Sequence, residues 1–102
     1  MSFQNVELQK KANIYFDGKV TSRQITTADG EIKTLGVILP GSYHFNTDSE
    51  ELMEVTQGGC KVKLDGSDEW NSYSSGESFR IAANSGFDIE VSDLLDYICS
   101  YY

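Results

Sequence analysis

From residue 13 onward, apolar and polar side chains alternate in short runs cut by Gly, Asn, Asp and Ser. The cuts fall at intervals of roughly 8–12 residues, the punctuation expected of an antiparallel β-sandwich or barrel. Residues 20–27 are rich in β-branched side chains and end at Asp29-Gly30, a hairpin-turn signal. A strand over 31–39 follows, with a corner at Pro40-Gly41, and further strands are predicted over 42–46 and 51–56. Gly58-Gly59 predicts a tight turn or a bulge. Strands over 60–64, 70–73, 78–81, 87–91 and 97–101 complete the series, and no segment is long enough for a crossover helix. Val6 and Leu8 give one weak helical-turn signal without strand alternation. The expected architecture is all-β: one antiparallel double-stranded jelly-roll barrel over residues 13–102, with residues 1–12 as a peripheral arm.

Composition narrows the function classes. A chain of 102 residues supports one core and no second domain. Sixteen acidic against eight basic residues give a net charge of −8, which repels phosphate backbones. The basic residues form no cluster larger than Lys10-Lys11, so nucleic acid is not an expected partner. No apolar run is longer than Val37-Ile38-Leu39, far short of a spanning helix, and no membrane partner is expected. Residues 1–11 are polar and lack the apolar centre of a signal peptide, which points to the cytoplasm. Cys60 and Cys99 form no CxxC motif, and two buried reduced thiols are expected.

The chemistry-bearing stretch runs from Pro40 to Gly58. His44 and Asn46 stand two apart on a strand and therefore share one sheet face. Glu51 and Gly58 follow at spacings that resemble the first cupin motif; Gly76, Ala82-Ala83-Asn84 and Phe87 occupy the spacing of the second. Metal-binding cupins supply three His and one Glu. His44 is the only histidine here, and Phe87 cannot ligate, so no metal is expected.

A wider set of residues carries a more specific likeness. It comprises Asn13-Ile14-Tyr15-Phe16-Asp17-Gly18-Lys19-Val20, Gly36-Val37, Gly41-Ser42-Tyr43-His44-Phe45, Glu51-Leu52-Met53-Glu54-Val55 and Gly58. Trp70, Gly76, Phe79, Phe87 and the closing Tyr97-Ile98-Cys99-Ser100-Tyr101 belong to the same set. Together they resemble the pyrimidine/purine nucleoside phosphorylases, a family of small single-domain cupins. The chain departs from the family where Ser100 replaces a frequent Arg and Asp88 a frequent His. The resemblance implies phosphate-dependent cleavage of purine and pyrimidine nucleosides to free base and ribose 1-phosphate. Inorganic phosphate would be the co-substrate, no cofactor would be needed, and the assembly would be a homodimer.

Such chemistry needs a clamp on the ribose, a platform for the base and a cradle for phosphate. Glu51 is the candidate clamp, since a carboxylate accepts two hydroxyl hydrogen bonds and stabilises positive charge growing on the sugar. The alternative is a solvated acid beside Asp48 and Glu50. Tyr43, Phe45 and Phe87 would stack on a base or simply pack the core. Alternation allows either Tyr43 and Phe45 or His44 and Asn46 to face the pocket, and both arrangements stay open. Arg23, Lys33 and Arg80 are the candidate phosphate ligands, with the hydroxyls of Ser42, Thr47 and Tyr97 beside them. Arg80 alternates with Phe79 and Ile81, which also suits an exposed face. The competing functional class is a non-catalytic cupin that binds a small sugar- or nucleoside-like ligand.

Overall fold

The computed structural model describes all residues from Met1 to Tyr102. It contains ten strands: β1 (Glu7–Leu8), β2 (Asn13–Tyr15), β3 (Val20–Thr26), β4 (Ile32–Ile38) and β5 (Gly41–Asn46). They continue as β6 (Glu51–Leu64), β7 (Asn71–Ser74), β8 (Ser78–Ile81), β9 (Gly86–Val91) and β10 (Leu95–Tyr101). A 3-10 turn over Phe16–Gly18 is the only helical element. Every pairing is antiparallel, and the order β1-β3-β4-β10-β6-β9-β5 curls into the expected jelly-roll shape.

The longest strand is the hinge of this curl. Residues 51–54 of β6 pair with β8 and, on the other side, with β10, whereas its later residues pair with β7 and β9. Thus β6 passes from one layer to the other without the turn that Gly58-Gly59 suggested. The irregularity lies just before the glycines. Tyr97 stands opposite Val55 and Asp96 opposite Gln57, so Thr56 is the extra residue of a bulge. An extra residue reverses the parity of the strand. The buried set accordingly changes from Met53 and Val55 to Cys60 and Val62. Gly58 has φ +78 and backs onto the Leu94 carbonyl, where any side chain would collide.

The first dozen residues are more attached than their composition suggests. Leu8 and Glu7 pair with Ile25 and Thr26 of β3, and the Gln9 amide donates to the Gln24 carbonyl at 2.9 Å. Trp70 precedes β7 and is exposed, outside the strand expected to include it.

The dry core fills the space between the layers. Val55, Val62, Ile81, Ile89, Val91 and Leu95 are buried in it, with Phe79 stacked on Tyr73 at 4.7 Å between ring centroids. Ile89 and Leu95 are completely enclosed. Burying one such side chain contributes about 1.5–3 kcal/mol.

Candidate active site

Beyond the dry core, at the end where β2, β3, β4 and β10 face β5 and the start of β6, the barrel opens into a cavity of about 290 Å³. Its polar wall arises from alternation on β10, which aims Tyr97, Cys99 and Tyr101 at one side of the strand. Gly36 lies opposite Tyr97 in the register. A side chain there would collide with the Thr21 carbonyl of the adjoining strand and reach within 2.8 Å of the phenol oxygen, so the bare backbone suits both the strand pairing and the ring. Ser22 and Thr34, inward on β3 and β4, extend the polar wall.

Glu51 stands at the start of β6, half-buried against this wall. Its Oε1 accepts a hydrogen bond from the Cys99 thiol at 3.4 Å. Burial raises the Glu51 carboxyl above the ordinary range; the Cys99 bond partly opposes this, and Asp48 reinforces it. Burial, aided by the Glu51 charge, pushes the Cys99 thiol up to about 12. Burial pushes the Tyr97 hydroxyl up to about 12 as well. Tyr101 is raised mainly by burial, and its hydroxyl shares a 3.0 Å hydrogen bond with Thr34. At neutral pH these three groups therefore keep their protons and present donors around one carboxylate.

The opposite wall is apolar. Phe45 and Phe87 lie with ring centroids 5.7 Å apart, and Phe16 meets Phe45 edge-on at 5.7 Å. Inward orientation on β5 thus belongs to Tyr43 and Phe45. Tyr43 is buried behind the cavity, donating its hydroxyl to the Leu39 carbonyl at 2.8 Å, and does not line it.

His44 points outward. Its Nδ1 lies 2.8 Å from Asp88 Oδ1 and its Nε2 3.1 Å from Asn46 Oδ1, with Asp65 at 3.9 Å. Two acceptors facing the two ring nitrogens suit an imidazolium, and the hydrogen bond to Asp88, followed by that to Asn46, raises the His44 pKa. Asn46 reaches the cavity rim, so of this pair only the amide borders the site.

None of the three candidate phosphate cations borders the cavity. Ser22 and Thr34 face inward, and alternation turns their neighbours Arg23 and Lys33 outward. Lys33 donates to Ser100 Oγ at 2.8 Å on that outer face. Arg80 pairs with Glu50 at 2.8 Å and lies 5.2 Å from the centre of the Tyr102 ring. Thr47 is committed elsewhere: its hydroxyl donates to the Ala82 carbonyl at 2.6 Å and accepts from the Ser85 amide at 3.0 Å. Ser42 is exposed. Ser100, between Cys99 and Tyr101, also faces away from the site.

Phe16, Ser22, Thr34, Cys99 and Tyr101 line the cavity although sequence reasoning did not assign them to the site; Phe16, Cys99 and Tyr101 stood only among the residues that carry the family likeness. The pattern Tyr97-x-Cys99-x-Tyr101 held the signal, because period-two spacing on a strand places all three groups on one face. The donor set does not suit a divalent transition metal. Phe45 and Phe87 offer hydrocarbon, no imidazole lines the cavity, and Glu51 is the single carboxylate on the wall.

Residues 10–101 match the family model described as pyrimidine/purine nucleoside phosphorylase. A protein of that name from Burkholderia vietnamiensis is 59% identical over 99 residues, covering 97% of this chain and 93% of the relative. One from Paraburkholderia xenovorans is 54% identical with the same coverage. Among solved structures, a protein of unknown function from Acinetobacter sp. ADP1 superposes with a TM-score of 0.96 at 41% identity, covering 99% of this chain and 98% of that one. An RmlC-like cupin from Shewanella frigidimarina shares the fold at 16% identity and a TM-score of 0.71, covering 98% of this chain and 86% of that one. With nearly the whole chain matched, and a jelly-roll cavity where the cupin spacing predicted one, the protein belongs to the pyrimidine/purine nucleoside phosphorylase family.

Proposed function

We propose that the protein is a nucleoside phosphorylase acting on purine and pyrimidine nucleosides. The bond from ribose C1′ to the base nitrogen breaks, and its electron pair leaves with the base, which gains a proton. A phosphate oxygen then forms the new bond to C1′, giving ribose 1-phosphate. The observation that carries this reading, beside family membership, is Glu51 half-buried between a wall of protonated donors and an aromatic wall.

In its ionised form Glu51 accepts the ribose hydroxyls and opposes the positive charge that develops on the sugar as the base departs. A carboxylate fixed in a partly dry site does this more strongly than one in water, and its position requires no rearrangement during the reaction. Phe45 and Phe87 offer π-faces, which every base can use, so one site accepts both base classes. Tyr97 and Tyr101 donate to the ribose or to phosphate, and Asn46 adds a polar group at the rim. Phosphate is held by hydroxyl donors instead of Arg23, Lys33 or Arg80, all of which lie off the cavity. No metal takes part, and chelators leave turnover unchanged.

A homodimer is part of the proposal. Leu35, Val37, Leu52 and Ile98 form a half-buried apolar stripe on the outward face of β4, β10 and β6, suited to a second copy. Light scattering at micromolar concentration tests this, a monomer being the contrary result. We place the protein in the cytoplasm as part of the same reading.

The deciding experiment incubates purified protein with a nucleoside panel, with and without phosphate, and follows free base. Phosphate-dependent release from members of both base classes is the expected result. One observation favours a second reading: the cavity has no cationic side chain, as would suit a non-catalytic cupin binding a sugar- or nucleoside-like ligand. Nucleoside binding without base release would establish that alternative.

A further inference from the structure

Phe16 occupies a backbone conformation poorly suited to its side chain. Its φ is +51, and that of Asp17 is +55. A bulky residue in the left-handed region is a steric outlier, because its Cβ crowds the following carbonyl oxygen. Such strain persists only where neighbouring structure imposes it, and it concentrates at ligand clamps and active sites. The imposing structure is visible here. Tyr15 is held opposite Val20 in the β2–β3 ladder, and the Lys19 amide donates back to the Phe16 carbonyl at 3.1 Å.

The turn has one clear effect on the site. Consecutive residues of an extended strand point to opposite sides, yet Tyr15 and Phe16 both line the cavity. The left-handed step brings the Phe16 ring round. It meets Tyr43 edge-on at 5.1 Å and Phe45 at 5.7 Å, while 47% of the residue remains exposed. Phe87, by contrast, is enclosed at 2%. The exposed ring stands on the same apolar wall as Phe45 and Phe87, and Glu51 lines the cavity with it.

We propose that Phe16 is a base-contacting specificity residue: its ring is the outer wall of the aromatic slot that receives the nucleobase. The proposal rests on the nucleoside reading and adds to it the residue that grips the base. It has two consequences. Removing the ring weakens nucleosides and leaves phosphate untouched, and purines lose more than pyrimidines because they present the larger stacking face. Substituting Gly relieves the backbone strain that Ala retains, so the Gly variant melts no lower than the Ala variant.

The test is calorimetric titration of inosine and uridine, in phosphate-free buffer, into the unmodified protein and into Phe16→Ala, Phe16→Gly and Phe16→Tyr. Thermal melts of each variant and the KM for phosphate are measured alongside. The expected result is a loss of roughly tenfold or more in nucleoside affinity for Ala and Gly, larger for inosine, with Tyr retaining affinity. Phosphate KM stays unchanged. Unmodified protein that binds nucleosides, with Ala and Gly variants binding them equally well, overturns the role of Phe16 alone. So does an affinity loss that simply tracks lost thermal stability. Unmodified protein that binds neither nucleoside overturns the underlying reading together with this proposal.

Discussion

Within β10 the inward side chains change character from one end to the other. Leu95 lies fully enclosed in the dry core, whereas Tyr97, Cys99 and Tyr101 line the cavity with two hydroxyls and a thiol. The start of β6 makes the same transition, from Glu51 at the cavity to Val55 in the core. One pair of strands thus supplies apolar packing at one end and a polar cavity wall at the other. The dry end gains free energy from every methylene it encloses. The cavity end holds ionisable groups in surroundings that disfavour their charged forms. Groups held this way are the ones the proposed reaction uses, and they cost folding free energy where the dry end gains it.

That contrast is most sharply tested by a substitution that separates activity from stability. Glu51→Gln keeps the shape and removes the charge, so kcat should fall by roughly 10²–10³ in steady-state assays. Its effect on folding should have the opposite sign. The folded protein raises the Glu51 carboxyl above its ordinary value of 4.5, so it binds that proton more tightly than the unfolded chain. Stability contributed by this group is present below that value and declines as pH rises through the folded pKa. Denaturant melts at pH 7 should therefore find Glu51→Gln at least as stable as the unmodified protein. An activity loss accompanied by a loss of stability would erase the distinction between the two ends.

Leu95→Ala, at the dry end, should do the reverse. Removing a fully enclosed Leu costs about 2–5 kcal/mol in equilibrium unfolding, while the protein that remains folded keeps its kcat. A smaller effect is expected from Cys99→Ala. The thiol bond lowers the Glu51 pKa, so its loss should move the acid limb of the pH–rate profile to higher pH, with little change at the optimum. His44→Ala should have the least effect, leaving turnover unchanged because the ring faces away from the cavity. The folded-state pKa of His44 is raised, chiefly by its hydrogen bond to Asp88. Its contribution to stability is present below the unfolded value of 6.5 and is lost as pH rises through the folded pKa. Melting temperatures followed across that range should vary less with pH in the variant.

Strand punctuation made the barrel legible in the sequence, and cupin spacing placed Glu51 at its cavity. Alternation on β5 was legible only as parity. It paired Tyr43 with Phe45 and His44 with Asn46 but did not say which pair faces inward, since each carries groups suited to a pocket. Burial of Tyr43 against the Leu39 carbonyl decides it. Gly58-Gly59 suggested a tight turn or a bulge, and the bulge falls at Thr56, just before them. Here Gly58 admits the Leu94 carbonyl while β6 continues into the other layer. Parity also bears on the candidate phosphate ligands: Arg23 and Lys33 are the right chemical type but stand one residue out of phase with Ser22 and Thr34, which line the cavity. Phe16 had no residue-type signal, because an aromatic side chain is a poor candidate for a left-handed turn. The nearest hint was the turn chemistry of Asp17-Gly18.

The central claim, phosphorolysis in the cavity beside Glu51, is tested most directly by measuring all products at once. Uridine and inosine are each incubated with the unmodified protein and phosphate, and free base, ribose 1-phosphate and consumed phosphate are quantified together. Equal amounts of the three, with no base released when phosphate is omitted and a much reduced rate in Glu51→Gln, is the predicted result. Base release at the same rate without phosphate, or none from either nucleoside, would contradict it.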